Sequence, residues 1–339
     1  MNKILAAAAG GILIATSHVS LAHAADYNMV LSMQVTDPDS PIYQAFEYME
    51  SEINKRSDGR ISAKLYGGGA LGGDREVAES IALGDVQLTT MSTSPLVPFV
   101  EQLAVFDIPY IFPADPDLQK QVLLDSEFSK SLENYMEPSG FRLAGFFNIG
   151  FRQLTTSDVP VHTVEDIEKA KLRIRVQENP YHIEMWSLLG AAPTPIAYTE
   201  LYGALQQGVV DGQENPYLNI LSGKFYEVQD YLTETNHILL ANLMLMDNAW
   251  YQSLPEDLQQ VVDGVLDDAI AHQWDAQNAA LADQRAELAE HMEIIELTPE
   301  ALAEFQERTA PMIDQIRADV GDDIVDGLLN AIDQAKSAN

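Results

Sequence analysis

The chain of 339 residues contains no cysteine. Without a thiol it can form no disulfide, carry no lipid-bearing cysteine, and offer no thiolate to a substrate or metal. Positive charge is also scarce: 19 Lys and Arg stand against 52 Asp and Glu, a formal net charge of −33. That balance argues against nucleic acid as a partner, because binding it requires a basic surface. Catalytic signatures are missing too. His162, His182, His237, His272 and His291 form no HExxH or other short metal-ligand spacing, and there is no G-x-S-x-G elbow, phosphate loop or dinucleotide fingerprint. The run Gly67–Gly73 is glycine-rich but lacks the Gly-Lys-Ser/Thr ending that holds nucleotide phosphates. No enzymatic activity, no cofactor and no metal is therefore expected.

Long apolar runs are confined to the N-terminus. Lys3 precedes an apolar stretch from Ile4 to Thr16, and Ala22-His23-Ala24 follows as a small-x-small site. This order predicts a signal peptide over residues 1–24, cleaved before Ala25 or Asp26. No later segment approaches the roughly 20 apolar residues of a membrane span. The expected product is exported, soluble, not membrane-anchored, and free in a Gram-negative periplasm.

What remains is globular in composition, with 46% hydrophobic, 21% charged and 8% aromatic residues. Its length exceeds what one hydrophobic core usually serves, so two domains are expected. So negative a chain repels anions at long range unless salt screens it, and at about 1 M salt the Debye length is only about 3 Å. Such acidity fits a salt-adapted source, in which excess carboxylate keeps proteins soluble. A merely acidic periplasmic protein is the plainer alternative, and stability measured against NaCl separates the two.

Hydrophobic periodicity gives the architecture. Strands are expected at Tyr27–Val35, Ile61–Tyr66, Val86–Met91 and Phe141–Ile149, alternating with helices at Pro41–Asn54, 74–83 and Asp117–Tyr135. From Val164 the pattern restarts: helix Val164–Ala170, strand Leu172–Val176, helix Pro180–Leu189, helix Tyr198–Gln206 and a short strand at Val209-Val210. Tyr231–Trp250 reads as extended chain through a core. A helix from about 255 to 292 follows, long enough to lie along both domains, and Thr298–Asn339 reads as two more helices. Strand–helix alternation implies α/β layers with largely parallel sheets. With no Pro/Ser-rich linker, the domains are expected to be joined by several chain crossings that serve as a hinge.

In so cation-poor a chain, arginines beside strands are the natural candidates for anion binding. Arg173 and Arg175 lie on one face of Leu172–Val176, and Arg152 follows the strand that ends at Ile149. A guanidinium fork matches a carboxylate, each charge-assisted bond contributing roughly 1.5–3 kcal/mol. Pairing with one of the many acidic neighbours is the alternative fate of each.

Longer motifs narrow these choices. The run from Pro193 to Pro216, with Tyr198, Tyr202, Gln206, Gly208, Asp211 and Asn215, resembles the solute-binding proteins of TRAP (tripartite ATP-independent periplasmic) transporters, dicarboxylate-binding (DctP) type. Gly69–Glu76, Ile108–Phe112, Gly150–Thr155 and Lys171–Val176 support the likeness, which extends over nearly the whole chain after residue 24. The resemblance implies a two-lobed, Venus-flytrap (type II-like) binding protein with mixed sheets, strand hinges and a long lobe-bridging helix. It implies delivery of a solute to membrane permease subunits driven by an ion gradient. Lobe I is expected to comprise residues 25–150 plus about 240–275, and lobe II residues 151–239 plus about 276–339.

Carried over residue by residue, the likeness makes Arg175 the main carboxylate clamp, Arg152 a second basic contact and Asn215 an amide contact. Tyr198, Arg75 and His237 fall at positions that often line the pocket, and Arg173 is expected to be a structural pair. Gln177 could hydrogen-bond a hydroxylated ligand, while Glu178 could face a cationic group or solvent. Thr156 departs from the asparagine common at its position. The leading ligand is a sugar acid or another hydroxy or keto acid. A zwitterionic compatible solute such as ectoine is the alternative, then a dicarboxylate. A sensor module presenting the same bound solute to a receptor is the rival of another class.

Overall fold

A computed structural model describes residues 25–338. The expected signal peptide, residues 1–24, lies outside the described residues. Among the described residues, eleven strands form two sheets: β1 (Tyr27–Ser32), β2 (Ile61–Tyr66), β3 (Leu88–Ser92), β4 (Phe141–Phe147), β5 (Gln153–Thr156), β6 (Arg173–Val176), β7 (Ala192–Pro195), β8 (Gly212–Asn215), β9 (Tyr231–Glu234), β10 (Asn242–Asp247) and β11 (Glu293–Glu296). The first sheet has the order β2-β1-β3-β10-β4 and the second β11-β9-β5-β8-β6-β7. Both are mixed. In the first, β10 runs antiparallel to β3 and β4; in the second, β5 runs antiparallel to β8 and β9.

Local chemistry explains most boundaries. Ser40 caps the helix Pro41–Arg56 by accepting from the Tyr43 amide, with Pro41 preset at its first turn, and Ile42, Ala45, Phe46, Met49 and Ile53 form the buried stripe. The helix expected over Asp117–Tyr135 is instead broken. A π turn at Gln121–Asp125 ends at Ser126, whose hydroxyl donates back to the Val122 carbonyl at 2.6 Å and accepts from the Ser129 amide at 3.0 Å, starting a new helix. The strand expected at Val209-Val210 lies later, at β8, because Gly208 takes φ of 65° to close the preceding helix. Gly212 then begins β8 where a Cβ would sit 2.3 Å from the Thr155 carbonyl oxygen of β5.

The chain passes between the sheets at 148–152 and 235–241. These two crossings run side by side, joined by the antiparallel bridge Phe151↔Leu239 and by Arg152 N–H to Ile238 O (2.9 Å) and Leu240 N–H to Gly150 O (3.1 Å). The helix Glu256–His291 is the third connection. Its first half packs on the helix Pro41–Arg56 and on β4, and its second half meets the helix Tyr217–Ser222 and β11. It is tied to the first crossing: Gln273 Nε2 donates to Asn148 O at 2.5 Å, and its Oε1 accepts from the Asn148 amide at 2.9 Å.

The C-terminal segment differs from expectation. After β11 come three helices, Pro299–Thr309, Met312–Val320 and Asp322–Ala338, and only the first stays with the second sheet, against Val164–Ala170 and Pro180–Leu188. The other two return to the first half, packing on the 3-10 helix Glu101–Asp107 and on Glu127–Ser131. Residues 276–339 are therefore not one unit with lobe II. The buried Met312, Ile316, Ile324, Val325 and Leu328 cover apolar residues that the broken 116–136 segment presents.

Candidate functional site

Between the sheets lies a cavity of about 500 Å³, its mouth included, lined from the first half by Gln34, Asp74, Thr90, Ser92 and Asn242 and from the second by Arg175, Gln177, Tyr198, Asn215 and Asn219. Apolar Val35, Ile42, Met91, Ile149 and Leu240 complete the wall. The two halves touch across it. Thr36 Oγ1 donates to the Ser222 carbonyl at 3.2 Å, and Ser92 Oγ donates to Gln177 Oε1 at 3.3 Å.

Arg175 sits in the middle of β6 with 2% of its surface exposed. Its Nε donates to the Ile196 carbonyl at 2.7 Å, and neither Nη nitrogen has a hydrogen-bond partner among the described residues. Burial pushes the guanidinium down to about 10, with the nearby carboxylates of Glu214 and Asp74 opposing that fall. An arginine so depressed still carries its charge at neutral pH. It presents a cation, desolvated on one side, with two donor nitrogens free.

Asn215 ends β8, where Nδ2 donates to Gln213 Oε1 at 2.6 Å and Oδ1 accepts from Asn219 at 3.3 Å. Tyr198 opens the helix Tyr198–Gln206, its hydroxyl donating to the Asn219 carbonyl at 3.2 Å; burial raises its pKa to about 12, keeping it neutral. Gln177 lies one residue beyond β6. Four expected contacts, Arg175, Asn215, Tyr198 and Gln177, thus meet in one cavity.

Three others are elsewhere. Arg75 stands on the outer face of the helix Asp74–Ala82, 57% exposed and 3.3 Å from Glu79, with no place in the cavity wall. Its position one residue after Asp74 turns it outward. His237 is fully enclosed, with Nδ1 2.8 Å from Thr235 Oγ1 and Nε2 3.0 Å from Glu214, so both ring nitrogens are engaged within the protein. Arg152 is 1% exposed; its Nε and Nη2 donate to the Glu214 carboxylate, while Nη1 has no partner among the described residues. Arg173, at the open start of β6, pairs with Asp211 at 2.5 Å.

Glu214 organises a network that the motif reading passed over, although it lies within the Pro193–Pro216 run. The wholly buried Glu214 carboxylate meets Arg152, His237 and His182, whose Nδ1 is 3.5 Å away. Burial alone would raise the Glu214 pKa, but Arg152 and the two histidines hold it well below the ordinary carboxylate range. His182 Nε2 lies 3.0 Å from Asp107, which also accepts from Ser94 and Asn179 at 2.6 and 2.7 Å. Burial opposes protonation of His182, yet the hydrogen bond to Asp107 and the nearby Glu214 carboxylate outweigh it and its pKa is raised. This chain of charges ties Asp107 and Ser94, which lead into and end the Glu101–Asp107 region, to β8 behind the cavity. Among the described residues no cluster of His, Asp or Glu has metal-binding geometry, and no helix is long and apolar enough to cross a membrane.

A family model for bacterial extracellular solute-binding protein, family 7 (DctP), matches residues 31–319. The fold superimposes with a TM-score of 0.86 on a sugar acid binding protein from Advenella mimigardefordensis solved in complex with galactonate, at 31% identity over 91% of this chain and 98% of the other. A TRAP periplasmic solute binding protein from Sulfurospirillum deleyianum with bound succinate gives 0.83 at 27% identity, covering 90% and 98%. The ectoine/5-hydroxyectoine-binding periplasmic protein of Ruegeria pomeroyi is 30% identical over 90% of this chain and 88% of its own.

Proposed function

The chain belongs to the bacterial extracellular solute-binding proteins of family 7, the TRAP type, which bind solutes and are not enzymes, and from that premise we propose that it captures a small organic acid in the periplasm for a membrane permease. The observation that carries this reading is Arg175, a buried guanidinium whose two Nη nitrogens find no acceptor among the described residues. A carboxylate docked on that fork replaces lost hydration with two charge-assisted bonds. Asn215, Gln177 and Tyr198 add neutral polar contacts to the same solute. Arg152, committed to Glu214 through Nε and Nη2, would reach a bound carboxylate only through Nη1.

Binding and closure are one event in this scheme. Contacts across the cleft close Arg175 off from water, and a buried guanidinium whose Nη nitrogens lack a hydrogen-bonded acceptor disfavours that state. A ligand shifts the equilibrium by its differential affinity for the closed form. Micromolar binding, about −8 kcal/mol, needs little beyond one bidentate pair, a few hydrogen bonds and apolar contact.

The solute is a sugar acid or related hydroxy acid in this reading, ahead of a compatible solute and a dicarboxylate. The polar wall opposite Arg175 supports that order, since it offers amides, hydroxyls and a carboxylate in place of a second cation. Thermal-shift screening of aldonates, uronates, keto acids, succinate and ectoine tests it, because a ligand of the native state raises the melting temperature. Sugar acids should give the largest shifts; a screen led by dicarboxylates overturns the assignment.

A further inference from the structure

The two halves meet behind the cavity as well as across it. Across it the contacts are neutral and long, at 3.2 and 3.3 Å. Behind it they are shorter and carry charge. Ser94 and Asp107 lie between β3 and β4 of the first sheet; Asn179, Tyr181 and His182 lie between β6 and β7 of the second, where the helix Pro180–Leu188 starts. Asn179 Nδ2 donates to the Ser94 carbonyl at 3.1 Å and to Asp107 Oδ2 at 2.7 Å. The Tyr181 hydroxyl donates at 3.0 Å to Asp319, whose helix Met312–Val320 packs with the first half. His182, wholly buried, has Nε2 3.0 Å from Asp107 Oδ1 and Nδ1 3.5 Å from Glu214 Oε1. One imidazole thus stands between a carboxylate of each half.

We propose that this contact is a latch between the halves, in which protonated His182 joins Asp107 to Glu214 and holds the closed form, and that loss of its proton to water loosens that form and weakens solute capture. β6, which carries Arg175, leads directly into the latch helix and so links it to the ligand. An imidazolium donates from both nitrogens, one toward each acid. A neutral ring that keeps its N–H on Asp107 turns the Nδ1 lone pair to the Glu214 oxygen, and attraction becomes repulsion. The surroundings settle which histidine is charged. Burial, with Arg152 and His182 adding to it, lowers the pKa of His237 on the other side of Glu214; against burial, the Asp107 and Glu214 carboxylates raise that of His182. Of the other elements packed on this helix, β7 carries no charge, β6 carries Arg173 and Arg175, and the 3-10 helix adds Glu101. The helix Pro299–Thr309 brings Glu300, Glu304, Glu307 and Arg308, all open to solvent. The latch is complete at and below about 6.5, the ordinary histidine value. Its contribution fades as pH climbs through the higher value that the closed protein imposes.

Calorimetry with galactonate between about pH 5.5 and 8.5 tests the latch, and rests on the capture reading only for this affinity readout. The wild type should lose about fivefold to tenfold in affinity as pH rises, and His182→Gln should lack that loss. Asp74, pushed up to about 6 by its burial in the cavity, titrates in both proteins, so the difference between their profiles belongs to His182. Asp107→Asn keeps the shape of the latch but removes one of the two acids, and should move the loss to lower pH; it carries the test if His182→Gln does not fold. Because the chain has no cysteine, spin labels at Leu83→Cys and Val209→Cys, exposed on opposite halves, read the separation of the halves directly. Without ligand that distance should lengthen as pH rises in the wild type and be long throughout in His182→Gln. Affinity and distance profiles that are the same in wild type and His182→Gln overturn the latch. If galactonate binds the wild type at no pH, the sugar-acid reading fails, and the label distances alone decide for or against the latch.

Discussion

Two buried arginines, 23 residues apart in sequence, meet opposite fates. Arg152 and Arg175 are 1% and 2% exposed; the first directly precedes β5 and the second lies within β6 of the same sheet. Arg152 is answered by Glu214, a carboxylate in the same interior with histidines on its other side. Arg175 is answered by one backbone carbonyl, and its fork looks into a cavity. Burial alone therefore does not separate structural charge from functional charge; the completeness of each group's partners does. The Glu214 network pairs its charges with one another behind the site, leaving only Arg152 Nη1 and His182 Nδ1 without a hydrogen-bond partner among the described residues. The Arg175 cavity is left incomplete on both walls, with cationic donors on one and, on the other, Asp74 Oδ1 and Gln34 Oε1 without hydrogen-bond partners among the described residues.

The largest consequence should come from Arg175→Gln. Losing two charge-assisted bonds to a carboxylate removes about 3–6 kcal/mol of binding, so calorimetry should detect no heat with any acid that the wild type binds at micromolar level. Stability should change little, since a buried cation with incompletely satisfied donors is removed while Glu214 and Asp74 lose a favourable neighbour. A variant that binds normally would make the two arginines alike after all.

Much of this contrast was readable in the sequence, and the unread part has a physical cause. The helix stripe Ile42, Ala45, Phe46, Met49 and Ile53, the strand Ile61–Tyr66 and the 36-residue helix all follow from local periodicity, which a single chain displays directly. The short strands β5, β7 and β11 escaped because four residues give no period, and the return of Met312–Ala338 to the first half is a tertiary choice. In the site, Arg175 and Asn215 came from motif likeness. Asp74 and Glu214 lay inside quoted motifs but were passed over, because in a chain with 52 acidic residues no single carboxylate stands out until its burial is known. Arg75 also came from motif likeness; the cavity takes the residue before it.

On the other side of the comparison, Glu214→Gln should damage the fold more than the ligand contacts. Removing one partner of a buried pair costs about 3–5 kcal/mol, seen as a lower denaturant midpoint. The pH dependence follows from the depressed carboxyl. Glu214 contributes fully above its unfolded value of about 4.3, and that contribution fades as pH falls through the much lower folded value. The stability gap between wild type and variant should therefore be widest near neutrality and narrow in strong acid. A gap independent of pH would mean that the carboxylate's charge is not what the network uses.

The smallest effect is expected at the arginines that face water. Arg75 pairs with Glu79 and Arg173 with Asp211, with 57% and 48% of their side chains exposed, so solvent and salt screen both pairs. Arg75→Ala and Arg173→Ala should each leave galactonate affinity within about twofold of wild type and leave the melting curve nearly unmoved. Arg173 makes the sharper control because it shares β6 with Arg175, two residues away, and differs in carrying its own acid, Asp211. If Arg173→Ala weakened binding as strongly as Arg175→Gln, the distinction between the exposed arginine paired with a protein carboxylate and the buried one whose Nη nitrogens have no partner among the described residues would fail on a single strand.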